Sequence, residues 1–294
     1  MAIIRLLIYP YFASMIKLGI FGDQTTNPEL LVQLNTIPDT RVSGVYISGN
    51  VNLPEGISGL SSPEGLMDIS DVLLLLSDKS VSSDLIKMIL RKSKHVYLKT
   101  IPNMNVREIK ELIDLEKEAG IVTFISNPFN DIPWLDPFQT QYEKPFMINL
   151  RTCFEGNVIR PAHEMLLLIT ALNRLAQSNY KKLDVFGLKH QSNQILIQVR
   201  IEYENGSVFN VTISQEKSPG YCEIFEQQER KTLEFQLPLY DLFPKFNQEY
   251  SAITYFMRMI NDQDKKTDTF DNFLNGLQIL QEIKEHLRFN EIVF

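Results

Sequence analysis

Side chains that titrate or ligate metal near neutral pH are few in this 294-residue chain. There are four histidines, His95, His163, His190 and His286, and two cysteines, Cys153 and Cys222. No H-x-x-x-H or C-x-x-C spacing joins them, and two isolated thiols cannot complete a tetrahedral zinc site. What remains is proton transfer by a single imidazole, the side chain that titrates closest to neutrality. The basic cluster Arg91, Lys92 and Lys94 falls at the end of a helical pattern, where the helix dipole favours cations. With 29 basic against 36 acidic residues, the net charge of −7 argues against a nucleic-acid-binding surface.

The elements that must position such groups are legible from periodicity. Residues 16–21 form a short apolar run that ends at Gly22, and 29–35 read as a helix with Asn27 as N-cap and Pro28 in its first turn. Strands follow at 41–47 and 71–76. The second of these, DVLLLL, is apolar throughout, as expected of a parallel strand covered on both faces. A helix over 84–92, a strand His95–Leu98, a helix over 106–119 and a strand over 121–126 complete the alternation. In the longer helix Asn105 and Glu108 make a capping box, Val106, Ile109, Leu112, Ile113 and Leu115 make one stripe, and Gly120 stops it. Strands alternating with helices at this spacing predict βαβ units and a mostly parallel sheet.

The pattern changes after residue 145. A strand over 146–154 precedes a strongly apolar helix over 164–176. From 195 to 203 apolar and polar residues alternate, with Ile195, Ile197, Val199, Ile201 and Tyr203 on one face. Asn205-Gly206 then signals a hairpin, and Phe209, Val211 and Ile213 continue the alternation on the return strand. This predicts an antiparallel sheet with one polar face, so the sequons at Asn205 and Asn210 read as turn and strand chemistry. Two helices, 248–260 and 271–287, close the chain. The expected organisation is a leader over 1–14, a Rossmann-like nucleotide-binding domain over 15–128 and an α+β domain over 129–294. Met15 opens the first strand of the Rossmann pattern. No stretch reaches the roughly 18–20 apolar residues of a membrane span, and a cytoplasmic location is the default expectation.

The order and spacing of these pieces resemble the Gfo/Idh/MocA oxidoreductases (glucose–fructose oxidoreductase, inositol dehydrogenase and relatives). The resemblance runs from about Ile16 to the C-terminus. It rests on LGIFGDQTTNPELL, on DVLLLLSDKSVSSDLIKMILRKSKHVYLKTIPNMNVREIKELIDLEKEAGI, on GNVIRPAHEMLLLITAL, on the hairpin ILIQVRIEYENGSVFNVTIS and on the final helices. It implies a Rossmann domain binding NAD or NADP and a C-terminal domain whose open sheet supports homo-oligomerisation. It also implies a small sugar- or polyol-like ligand in the interdomain cleft.

Carried over position by position, the resemblance keeps the spacing and loses the motifs. The glycine-rich phosphate turn falls on Gly22, Asp23, Gln24, Thr25, Thr26 and Asn27, where only the first glycine stands and Asp23 adds a negative charge. The acid expected on the cofactor ribose falls on Ile47 or Ser48, and the usual Thr-Pro after the third strand is Ser77-Asp78. The residues left to meet a cofactor are therefore Gly22, Gln24, Thr25, Thr26, Asn27, Ser48 and Ser77. The family's Glu-Lys-Pro element aligns with Lys99-Thr100-Ile101, so Thr100 takes the lysine's place. Lys99 lies one residue off, which in extended chain points it to the other face. A literal Glu-Lys-Pro at 143–145 stands in the wrong context, before a strand of the second domain, and Lys144 reads as a surface residue. The acid that the family places four residues before a histidine is Ile159 here, while His163 keeps the histidine. His163 and Lys99 are thus the catalytic candidates. Trp134 reads as packing between domains. Three functions stay open: an NAD(P)-dependent oxidoreductase with a rebuilt phosphate turn, a non-catalytic relative binding a nucleotide or sugar metabolite, and a structural oligomer component.

Overall fold

A computed structural model describes residues 15–24, 26–47, 53–77, 81–100, 104–131, 141–153, 161–189, 195–214, 220–227, 229–235, 247–261 and 269–289. The leader over 1–14, Thr25, Ser48, Trp134 and Ile159 lie outside the described residues.

The first sheet has five parallel strands: β1 (Ile16–Gly22), β2 (Thr40–Ile47), β3 (Val72–Leu75), β4 (His95–Leu98) and β5 (Thr123–Ile125), in the order β2-β1-β3-β4-β5. Strand β3 is wholly buried, and its side chains alternate between two cores. Leu73 and Leu75 face α3 (Ser83–Arg91) and α4 (Val106–Ala119), while Val72, Leu74 and Leu76 face α1 (Pro28–Leu34) and α6 (Asn247–Asn261). The α4 capping box forms as expected, Asn105 Oδ1 accepting from the Glu108 amide at 3.0 Å and Glu108 Oε2 from the Asn105 amide at 2.9 Å. Gly120 ends that helix at φ 62, a left-handed conformation that costs glycine little.

Helix α2 (Pro63–Ile69) also covers this sheet and is absent from the sequence reading. It is seven residues long, too short for periodicity to declare itself, and its signal is the Ser62 cap with Pro63 behind it. Helix α6 crosses to the first sheet although it follows the second in sequence. Its Ile253, Phe256, Met257 and Met259 pack against Tyr97 and Phe124, rings that stack on each other with centroids 5.7 Å apart.

The second sheet has six strands: β6 (Met147–Cys153), β7 (Tyr180–Lys189), β8 (Ile195–Tyr203), β9 (Val208–Ser214), β10 (Gly220–Phe225) and β11 (Arg230–Phe235), in the order β11-β10-β6-β9-β8-β7. All neighbours are antiparallel except β6 and β9, so the sheet is mixed rather than purely antiparallel. The β8–β9 turn is built as read, with Gly206 at φ 85. Its Asn205 also donates to the carbonyl of Ala176 at 2.8 Å, tying the turn to the end of α5 (Pro161–Ala176). Helices α5 and α7 (Thr269–Phe289) cover one face. Helix α5 is buried nearly all round because sheet, α7 and the 3-10 turn Pro128–Asp131 enclose it. The other face carries Gln198, Arg200, Asn149 and Asn210 and, among the described residues, no helix. The α/β class, with a parallel first sheet and a mostly antiparallel open second sheet, is as expected.

Candidate functional site

In an open parallel sheet, ligands bind beyond the carboxyl ends of the strands where the strand order reverses. Here that point lies between β1 and β3, whose ends carry Gly22-Asp23 and Leu76-Ser77.

Strand β1 runs into a turn that closes on itself. The Asp23 amide donates to Thr26 Oγ1 at 2.9 Å, and the Thr26 amide returns to the Asp23 carbonyl at 3.1 Å. Thr26 is buried against Gly22: a Cβ on Gly22 would stand 2.5 Å from Thr26 Oγ1 and 3.3 Å from Ile47 Cγ1. Gly22 is therefore required by packing within the turn. Asn27 caps α1 by accepting the Glu29 amide at 2.9 Å, and Pro28 has no amide to offer. The Asp23 side chain is buried as well, and the Ser77 hydroxyl donates to its Oδ2 at 2.6 Å. Gln24 is exposed.

One strand further, the Thr100 hydroxyl donates to the Ser77 carbonyl at 2.9 Å, closing the β3 and β4 ends together. Lys99 projects to the opposite side. It follows Tyr97 on the α1 and α6 face, and its ammonium pairs with Glu249 Oε2 of α6 at 3.3 Å. Glu249 is a partner that the sequence gives no means of finding, since 150 residues separate the two. His163 lies in the first turn of α5, half-buried and engaged by neighbouring groups. Asn127, just after β5, donates to the Leu167 carbonyl at 2.8 Å and holds α5 against the first sheet.

The structure thus brings Gly22, Asp23, Thr26, Asn27 and Ser77 together at the ends of β1 and β3, with Thr100 beside them, and pairs Lys99 with Glu249 on the opposite face of the sheet. Lys144 of the literal Glu-Lys-Pro is exposed and donates to Gln177 Oε1 at 2.7 Å, away from the switch point. Burial pushes the Cys222 thiol up to about 12, so it is not a nucleophile near neutral pH. Among the described residues no group of three or more histidine, cysteine, aspartate or glutamate side chains is placed to hold a metal ion, and no helix is long and apolar enough to cross a membrane.

No family model matches the sequence, and no curated protein matches it. Solved structures do match along almost the whole chain. UDP-N-acetylglucosamine 3-dehydrogenase GnnA from Acidithiobacillus ferrooxidans superposes with a TM-score of 0.69 at 12% identity, covering 92% of this chain and 97% of that one. The dehydrogenase MviM from Clostridium difficile gives 0.70 at 14% identity, covering 92% and 99%. GenD2 from gentamicin A biosynthesis, solved in complex with NAD, gives 0.61 at 10% identity, covering 91% and 93%. This chain has the fold of these dehydrogenase structures, a parallel first sheet followed by a mixed second one.

Proposed function

We propose that this chain is a non-catalytic relative of the sugar dehydrogenases that share its fold, holding a sugar- or polyol-like ligand in the cleft between its domains. The observation that carries this reading is where Thr100 and Lys99 stand, the two described residues at the place of the family's lysine. Resemblance puts the family's lysine at Thr100, whose hydroxyl is committed to the Ser77 carbonyl. The adjacent Lys99 is held by Glu249 on the other side of the sheet. A lone imidazole supplies at most part of the proton transfer that hydride exchange at a carbinol needs.

The test is calorimetric titration of the full chain with N-acetylglucosamine and myo-inositol, beside a turnover assay with each sugar and NAD or NADP. Binding without turnover, equal in the wild type and in Lys99→Met, supports the reading. Turnover of either sugar refutes it, and its loss in Lys99→Met would name the amine responsible. The competing reading, an NAD(P)-dependent oxidoreductase, draws on the full-length match to named dehydrogenases and on GenD2 having been solved with NAD. It requires that second outcome.

The open sheet face supports self-association as part of the same proposal. Phe186 and Leu188 on β7 and Tyr221 on β10 are exposed there among polar neighbours. A homo-oligomer joined through this face predicts that Phe186→Asp with Leu188→Asp lowers the sedimentation mass to that of one chain. An unchanged mass would remove the sheet as the interface.

A further inference from the structure

The fold implies a dinucleotide at the switch point, and the residues there do not fit one. We infer that the switch point excludes the pyrophosphate of NAD and NADP, through hydrogen bonds the turn makes to itself and through the charge of Asp23. This goes beyond the proposed lack of hydride transfer, because it concerns binding.

A pyrophosphate is held by backbone amides pointing outward from a glycine turn and by the start of the helix that follows. Several of those donors are committed or missing here. The Asp23 amide is already donated to Thr26 Oγ1, and the Glu29 amide to Asn27 Oδ1. Pro28, at the start of the helix, removes a donor outright. The helix has only seven residues, so its summed dipole is small. By resemblance Gln24 stands where a glycine lets the diphosphate approach, and any side chain there keeps it from the backbone.

Charge acts in the same direction. Asp23 is buried at the end of β1, with its carboxylate fixed by the Ser77 hydroxyl at 2.6 Å. Glu29 adds a second acid in the first turn of α1. A dinucleotide pyrophosphate carries negative charge and would meet a fixed carboxylate where the fold's other members offer donors. Like charges brought together disfavour binding, the more so the less water lies between them.

The experiment uses the full chain and measures cofactor binding, not activity. NAD, NADH, NADP and NADPH are titrated calorimetrically into the wild type and into Asp23→Asn/Gln24→Gly/Thr26→Val, with thermal unfolding checked in parallel. Asn keeps an acceptor for Ser77, Val keeps the shape that packs on Gly22 while releasing the Asp23 amide, and Gly opens the approach. The expected result is no wild-type binding at roughly millimolar cofactor and a gain of about tenfold or more in the variant. If the triple variant does not fold, Asp23→Asn alone is titrated with inorganic pyrophosphate, and tighter binding than the wild type is expected.

Micromolar binding of any of the four cofactors to the wild type overturns the inference, as does a folded triple variant that binds no better. Neither result touches the reading of the chain as non-catalytic, which falls only if sugar turnover is observed.

Discussion

Replacing Gly22 by alanine tests whether the turn after β1 is closed by Thr26. The new Cβ would lie 2.5 Å from Thr26 Oγ1, 3.2 Å from Thr26 Cβ and 3.3 Å from Ile47 Cγ1, where ordinary contacts begin at 3.4 Å. Thr26 has two ways to yield. It can stay and be overpacked, which costs about 1–3 kcal/mol. Alternatively it can swing its hydroxyl away and strand the Asp23 amide, which also costs about 1–3 kcal/mol when the group is buried. Gly22→Ala should therefore destabilise the chain by about 2 kcal/mol by either route. Thr26→Ala alone removes the acceptor of the Asp23 amide and should cost about 1–2 kcal/mol. In the double variant the 2.5 Å contact no longer exists. Its loss should then fall short of the sum of the singles by about 1–2 kcal/mol, well beyond the spread seen for independent sites. Urea unfolding followed by circular dichroism measures all four corners of the cycle. Additivity to within about 0.5 kcal/mol would mean that Thr26 does not occupy the space beside Gly22, and the closed turn would be wrong.

Three further outcomes follow from single contacts. Burial lowers the pKa of His95 below its ordinary 6.5, partly offset by Asp71. The unfolded chain therefore takes up the proton first, so this contribution to stability is complete above pH 6.5 and is lost as pH falls toward the folded-state value. His95→Asn should flatten that acid-side loss in unfolding measured from pH 7.5 to pH 5.5, to within roughly the width of one titration. Asn105→Ala removes the α4 cap and should cost about 1 kcal/mol in urea unfolding, whereas Asn105→Ser should recover most of it. Glu249→Gln breaks the partly exposed pair with Lys99. Discounted for that exposure, the loss should be about 1 kcal/mol or less, seen as faster amide exchange in α6 than in α4.

What the sequence made legible was whatever local pattern controls. Helix α4 was bounded at both ends because Asn105, Glu108 and Gly120 mark it chemically and a single apolar stripe fills it. Strand β3 announced itself by being apolar on both faces. The turn at Asn205-Gly206 was read from two residues. Helix α2 was not legible, being shorter than two turns, nor was β7, an edge strand where Gly187 and Lys189 fall on the core-facing register and Phe186 and Leu188 on the open one. The parallel pairing of β6 with β9 was hidden too, because period-2 alternation is the same whichever way a neighbour runs.

The site divided along the same line. The loss of glycines and the charge of Asp23 were visible in sequence, but their consequence was not. Only the fold shows Thr26 turning back onto the Asp23 amide, Ser77 reaching Asp23 from another strand, and Glu249 holding Lys99 from 150 residues away.

Fold and ligand site respond differently to substitution, so one can be kept while the other is remade. The first sheet is specified by many apolar positions acting together. Exchanging Leu73 or Ile86 for another aliphatic of similar volume changes stability by about 1.5 kcal/mol or less and leaves topology intact, so identities near 12% still superpose. A pyrophosphate cradle is specified by a few amides and the absence of a few side chains. Filling the space beside Gly22 with a threonine and placing a carboxylate at residue 23 therefore changes its chemistry at almost no cost to the strands around it. The buried Asp23 and Thr26 satisfy each other and Ser77, so the remade turn adds hydrogen bonds to the native state where an empty cradle would leave amides to water. Such a turn is under pressure to stay closed, and opening it for a dinucleotide would mean breaking contacts that now hold the end of β1 to the end of β3.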